Sequence, residues 1–280
     1  MKAIQPRQIT DAVAELCRRA ATELPADLRA ALERCREEEP SPLGREVLGR
    51  LLENADLACR EQLPICQDTG VAAVFVELGR EIRLEGDLEQ AVNEGVRRGY
   101  QEGYLRKSVV DEPLFSRRNT GDNTPALLHL DLVEGDGLAI TLLPKGAGSE
   151  NMSALRMLKP ADGREGLCSF VLEVVTAAGA NACPPLVVGV GVGGSFDQCA
   201  LLAKRALLRP LGEANPHAGY ADLEQELLAA INDTGIGPGG FGGRCTALAV
   251  HVAWAPCHIA SLPAAVNLQC HAARRRSITL

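Results

Sequence analysis

Apolar residues at Ile9, Val13, Leu16, Cys17, Ala20 and Leu24 recur at the spacing of one face of a helix. The pattern resumes over Asp27–Glu38, and Ser41-Pro42 reads as the cap and first residue of a third helix ending near Arg60. Residues 1–62 are therefore expected to form a helical N-terminal layer and not a separate domain. The character changes at Leu63-Pro64. Val71–Leu78 reads as a strand, and Asp87 with Gln90 opens a helix in the manner of a capping box. Leu127–Val133 and Leu138–Leu143 read as two strands joined at Gly135-Asp136-Gly137, which predicts a hairpin.

A polar loop over Lys145–Asn151 leads into a strongly apolar helix over 162–180, a buried strand over Leu186–Val192, and helices over Phe196–Arg209 and Ala221–Ile231. The glycine-rich stretch Gly235–Gly243 precedes closing strands at Thr246–Trp254 and Ala264–Cys270. There is no internal repeat, and no linker rich in Pro, Gly or Ser divides the chain. The predicted fold is α/β: a single domain, 1–280, of mixed β-sheets layered with helices.

Hydrophobic content of 46% supports a sizeable core, but aromatics make up only 3%, so Ala, Val, Ile and Leu have to fill it. A net charge of −7 argues against a nucleic-acid partner, which calls for a basic face. The run Arg274-Arg275-Arg276 reads as a solvated C-terminal edge. Ten cysteines in 280 residues are too dilute for a disulfide scaffold. The N-terminus lacks an apolar signal core and no stretch is long enough to span a membrane, so a reducing, cytoplasmic location is expected.

Three of those cysteines sit among turn formers and titratable residues: Cys66 in Ile-Cys-Gln-Asp-Thr-Gly, Cys183 in Ala-Cys-Pro-Pro, and Cys270 in Leu-Gln-Cys-His. Thiolates converging from such distant segments suit an iron–sulfur cluster with one iron open for Lewis-acid chemistry. The alternative reading makes all ten small buried hydrophobes. That reading is preferred for Cys17, Cys35, Cys59, Cys168, Cys199, Cys245 and Cys257. Asp68 is a turn-former by type, yet beside Cys66 it is also a proton donor or acceptor, with Gln67 to orient a bound acid. Arg106, Lys107, Arg117 and Arg118 form a local basic cluster, and Lys145 beside Gly146 and Gly148 offers a second anion contact.

Gly189-Val-Gly-Val-Gly-Gly194 has the outline of a dinucleotide turn but lacks the acidic residue that should follow. A tight turn whose amides bind a carboxylate suits it better. His251, His258 and His271 bracket the last cysteines without compact zinc spacing, and there is no Cys-x-x-Cys.

From about Pro64 to Arg274 the chain resembles the alpha subunit of the iron–sulfur hydro-lyases, class I fumarate hydratase and L-tartrate dehydratase. The motifs that carry it are Ile-Cys66-Gln-Asp-Thr-Gly, Lys145-Gly-Ala-Gly-Ser-Glu-Asn, Cys183-Pro-Pro, Gly-Gly194-Ser, Gly-Gly-Phe-Gly-Gly243 and His258-Ile-Ala-Ser-Leu-Pro-Ala-Ala-Val-Asn-Leu-Gln-Cys270, in that order. The resemblance implies a [4Fe–4S] cluster held by Cys66, Cys183 and Cys270. It also implies substrate contacts from Gln67, Asp68, Arg106, Lys145, Gly146 and Gly148, and catalytic roles for Asp68 and His258. Ala147 stands where the family usually has glycine. The activity it implies is reversible hydration of fumarate to (S)-malate, a tricarboxylic acid cycle step. Dehydration of tartrate to oxaloacetate is the next reading, a non-catalytic cluster carrier the one after, and a nicotinamide-dependent dehydrogenase the last. A separate beta subunit is expected to complete the site and supply the base, in a hetero-oligomer containing two alpha chains, with a small dicarboxylic acid as substrate and neither nucleic acid nor membrane as partner.

Overall fold

Pro6 at the first helical position, and the Gln8 side chain accepting from the Gln5 amide at 2.9 Å, start the first helix of the computed structural model, which describes residues 2–280. The helices are α1 (Pro6–Thr22), α2 (Ala26–Glu38), α3 (Pro42–Glu61), α4 (Leu88–Glu102), α5 (Ala147–Glu150), α6 (Gly163–Ala178), α7 (Phe196–Ala206) and α8 (Ala218–Asn232). The strands are β1 (Lys2–Ile4), β2 (Val71–Gly79), β3 (Ile82–Leu84), β4 (Leu127–Val133), β5 (Leu138–Lys145), β6 (Ala154–Leu158), β7 (Leu186–Gly193), β8 (Ala247–Ala255), β9 (Leu262–Gln269) and β10 (Arg276–Thr279). The fold is mixed α/β, as its patterning predicts. The chain divides into two units, the first of residues 1–25, 54–146 and 274–280, the second of 26–53 and 147–273. The N-terminal helices are shared out accordingly: α1 belongs to the first unit, α2 to the second, and α3 contributes to both.

In the first unit a four-stranded sheet runs in the order β10-β5-β2-β4, beside a small parallel pair of β1 and β3. Helix α4 begins at Asp87, whose Oδ1 accepts from the Gln90 amide at 2.9 Å. It packs on α1 at glycines: a β-carbon on Gly95 would lie 2.6 Å from Val13 Cβ, and one on Gly99 2.7 Å from Cys17 Cβ. With few aromatics to fill space, close backbone approach supplies the packing density.

The expected β4–β5 hairpin does not form. Strand β2 lies between them, parallel to β4 and antiparallel to β5. It is buried from Ala72 to Val76 and takes the centre, whereas β4 exposes Leu127, Leu130 and Leu132 and takes the edge. The Glu134–Gly137 loop instead crosses the end of β2, where the Gly79 amide donates to Gly137 O at 2.9 Å and the Arg80 amide to Val133 O at 2.9 Å. The Arg274–Arg276 run is not a solvated edge either. Arg276 begins β10, which pairs with β5, and its Nη2 donates to Glu23 Oε2 at 3.0 Å. Arg274 is only 1% exposed.

In the second unit the sheet order is β6-β9-β7-β8, with β7 parallel to β8, antiparallel to β9 and buried throughout. Its lower core joins Phe170, Val171 and Val175 of α6 to Leu223, Leu227 and Ile231 of α8 and to Val188 and Val190. Helix α7 lies across β7 at Gly189 and Gly191, where a β-carbon would sit 2.1 Å from Ala203 O and 2.0 Å from Cys199 O. The glycines that outlined a dinucleotide turn are therefore spent on helix–strand contact. At the end of α2 the buried Glu39 carboxylate accepts from the amides of Ser41 at 3.0 Å, Arg244 at 2.9 Å and Cys245 at 2.8 Å, tying the helix to the glycine-rich segment.

Replacing Gly191 by Ala should lower stability by about 2–3 kcal/mol, since the added methyl meets main chain that cannot give way. Thermal denaturation of the variant checks this, and an unchanged melting temperature would contradict the tight α7–β7 contact.

Candidate active site

In the first unit the loop from Ile65 to Gly70 joins α3 to β2 and is tied down at nearly every residue. The Ile65 amide donates to Ala21 O at 2.9 Å, and Asn54 Nδ2 donates to Ile65 O at 2.8 Å. Thr69 Oγ1 donates to Arg106 O at 2.9 Å, while Tyr100 OH reaches Thr69 O at 3.1 Å and Gly70 O at 3.0 Å. Burial pushes the Tyr100 phenol well above its usual range, so it remains a donor. Asn123 Nδ2 donates to Gly70 O at 3.2 Å, and Arg274 Nη2 to Asp68 O at 3.0 Å.

Cys66 and Asp68 stay half-buried and Gln67 exposed on this fixed loop. Asp68 Oδ1 accepts from the Gly70 amide at 3.0 Å, which orients the carboxyl. Gly70 has φ +75° and lies so close that a β-carbon would be 2.6 Å from Lys145 C, while Asp68 Oδ2 is 3.0 Å from where a Gly146 β-carbon would be. Two motifs more than seventy residues apart are thus in contact. Lys145 itself is buried, at 1% exposure, and the Arg106 side chain is exposed.

In the second unit Cys183 caps the short turn Gly179–Ala182 in the left-handed region, at φ +55° and ψ 66°, with its side chain exposed. That conformation is uncommon for cysteine and marks a position set by more than local preference. Its carbonyl accepts from the His271 amide at 3.3 Å, which puts Cys183 beside the residue that follows Cys270. Gly148 in α5 approaches Asn181 O, two residues before Cys183, at 3.3 Å from its β-carbon position. Helix α5 is held to β9 because Asn267 Nδ2 donates to Glu150 Oε2 at 2.8 Å. Ala147 opens α5 without a positive φ, so the methyl group is accommodated where the family usually has glycine.

His258 lies in the exposed turn before β9, its Nδ1 accepting from the Ala260 amide at 3.1 Å. Cys270 follows the far end of that eight-residue strand, which is about 25 Å long. Within this unit the two are therefore not brought together. His251 is buried in β8 with Nδ1 3.1 Å from Ala206 O, so the three histidines do not gather around a zinc ion. Among the described residues, no group of three or more His, Cys, Asp and Glu is arranged to hold a single metal ion.

None of the ten cysteines is in a disulfide. Cys17, Cys199 and Cys245 are buried, and burial pushes the Cys17 thiol up to about 12. Cys35 and Cys168 are half-buried, while Cys59 and Cys257 are exposed, which corrects the expectation that both are core residues. Helix periodicity does not say which face of α3 Cys59 occupies, and Cys257 falls in the turn after β8. Cys66, Cys183 and Cys270 offer soft thiol donors, outside any disulfide, on loops or at an element's end, the donor type an iron–sulfur cluster takes. Arg274 Nε and Nη1 are buried without a hydrogen-bond partner among the described residues, a positive charge beside the Cys66 loop that suits an anionic thiolate-bound group. On donor chemistry and charge, the residues present fit the cluster.

Sequence patterning gives no site role to Tyr100, Asn123 or Arg274, although each grips the Asp68–Gly70 segment. Their signals were available: Tyr100 is one of three tyrosines, Asn123 sits among the turn formers before Pro125, and Arg274 comes four residues after Cys270.

A family described as Fumarate hydratase (Fumerase) matches residues 10–279. A chain of Methanocaldococcus jannaschii named "Putative L(+)-tartrate dehydratase subunit alpha" is 45% identical over 274 residues, which cover 96% of each chain. The L(+)-tartrate dehydratase subunit alpha of Escherichia coli strain UTI89 is 32% identical, and that of strain K12 31%, each over 275 residues covering 97% of this chain and 90% of the relative. Among the described residues, no helix is long and apolar enough to cross a membrane.

Iodoacetamide at about pH 8 reacts with thiolates, so in the folded, metal-free chain it should label Cys59, Cys183 and Cys257 and spare Cys17 and Cys199 until denaturant is added. Peptide mass spectrometry reads the pattern, and labelling of Cys17 in the folded chain would contradict its burial.

Proposed function

The chain belongs to the fumarate hydratase family of hydro-lyases, and on that premise we propose that it is the alpha subunit of a cytoplasmic [4Fe–4S] enzyme interconverting fumarate and (S)-malate, a tricarboxylic acid cycle step. The observation that carries the reading is the contact of Asp68 with Gly146 and of Gly70 with Lys145, which joins the acid-bearing loop to the anion-binding one. Cys66, Cys183 and Cys270 would hold the cluster through three irons. When bound, it supplies Lewis-acid polarisation of the substrate's hydroxyl and adjoining carboxylate.

The chain's own residues supply the rest. Removing a hydroxyl β to a carboxylate is slow because hydroxide is a poor leaving group, and Asp68 would protonate that oxygen as it departs. Its bond from the Gly70 amide fixes the direction in which the proton is offered. Arg106, exposed and fork-shaped, would bind the second carboxylate in bidentate fashion, with Gln67 orienting the acid. Buried Lys145 adds positive charge behind Gly146, and Gly148 leaves backbone accessible to the ligand. The base that takes the α-proton is assigned to a separate beta subunit, in keeping with relatives named as alpha subunits. His258, in the exposed turn at the other end of β9 from Cys270, would serve as the active-site histidine.

A second reading is tartrate dehydration to oxaloacetate, favoured by the names of the relatives at 45% and 32% identity. With the partner chain co-expressed under anaerobic conditions, kcat/KM for (S)-malate should exceed that for L(+)-tartrate by at least about tenfold, mesaconate serving as third substrate. A preference for tartrate reassigns the substrate. Changing Cys270 to Ser should abolish both activity and the cluster's visible absorbance, and retained activity would refute the ligand assignment. A parent enzyme that cycles redox state without turning over any of these acids would be a cluster carrier instead.

A further inference from the structure

We infer that Arg274 is the positioning residue of the Cys66–Gly70 loop, holding Asp68 through the main chain and setting a fixed positive charge against the segment that bears the acid. The inference rests on the role proposed for Asp68. Arg274 is 1% exposed and is among the largest fully buried side chains of the protein. Its Nη2 donates to Asp68 O at 3.0 Å. Nε and Nη1 are also buried and have no hydrogen-bond partner among the described residues.

A purely structural account of this residue is costly. Taking a guanidinium out of water is strongly unfavourable, and each buried donor left unsatisfied adds to that cost. One bond to one carbonyl does not offset that. The neighbouring carbonyls show the cheaper solution: the neutral Tyr100 hydroxyl serves both Thr69 O and Gly70 O, and the neutral Asn123 amide also serves Gly70 O. A neutral donor would have sufficed at Asp68 O as well. What distinguishes Arg274 is its charge, and the loop it grips carries the Cys66 thiol and the Asp68 carboxyl, both anionic when ionised. Lys145, also buried, packs against Gly70 through its backbone.

The geometry also explains why the residue follows Cys270 so closely. Cys270 follows β9, and four residues later the chain supplies Arg274 to the loop that contains Cys66. The segment that presents one thiol thereby carries the clamp for the segment that presents another.

The test uses the co-expressed enzyme with two variants. Arg274→Gln removes the charge and shortens the reach, and Arg274→Lys keeps the charge. Hydrogen exchange of residues 66–70 should be about tenfold faster in the Gln variant and near parental in the Lys variant, while the remaining amides keep their protection. In the Gln variant kcat for the preferred dicarboxylate should fall about 10- to 100-fold with KM within about threefold, and Lys should restore kcat to within about fivefold of parent. Parental kcat and parental exchange in the Gln variant overturn the inference. So does faster exchange spread over the whole chain in both variants, which is the signature of a general stability role. If the parent enzyme turns over none of the dicarboxylates tested, the functional reading falls, and local exchange at 66–70 decides Arg274 by itself.

Discussion

Where the main chain of Gly70 lies on that of Lys145 there is no room for a β-carbon, and the acid-bearing loop takes its shape from that contact. The same constraint recurs wherever this aromatic-poor protein packs. Helix α4 meets α1 through Gly95 and Gly99, α7 meets β7 through Gly189 and Gly191, and the Glu134–Gly137 loop meets the end of β2 at Gly79. Backbone approached this closely cannot relax by changing a rotamer, so the elements it joins are held to a narrow range of positions. For a loop proposed to present a carboxyl at a defined angle, such stiffness is an advantage.

The hydrogen bonds around the loop then divide by kind. Tyr100, Asn123 and Thr69 are neutral partners that satisfy main-chain groups at little electrostatic cost. Arg274 and Lys145 bury charge, and burial of charge is tolerated where opposite charge is to be met. The candidate chemistry is also divided along the chain. The first unit carries Cys66, Asp68 and Arg106, and the second carries Cys183 and Cys270, paired through the bond from the His271 amide to Cys183 O.

Most of the fold was legible as sequence because its helices obey the 3.6-residue period. The first three begin and end within a few residues of the predicted bounds, and Asp87 caps α4 through Gln90 as its spacing indicates. What periodicity does not encode is the neighbour. Alternation in residues 127–133 and 138–143 announces two strands, but nothing local says that β2 comes between them. The short strands β1, β3, β6 and β10 carry too few residues for any period to show. The Arg274–Arg276 run fails for a related reason: a row of like charges reads as solvated unless its remote partners, Asp68 O and Glu23, are known. At the site, turn formers around Cys66 and Cys183 announced cysteines on loops, whereas the side of α3 on which Cys59 emerges depends on what packs against that helix.

The path of the polypeptide through the two units bears on how the protein is made. The chain leaves the first unit after Gly146 and re-enters it at Arg274, so everything between is an insertion in that unit's sequence. During synthesis the growing chain folds from its N-terminal end as segments emerge. The second unit has all its residues outside the ribosome before the first has received its edge strand β10 or the arginine beneath Asp68. Until then β5 keeps one edge unpaired and the Asp68 carbonyl lacks its guanidinium donor. The acid-bearing loop is thus among the last parts of the nascent protein to set.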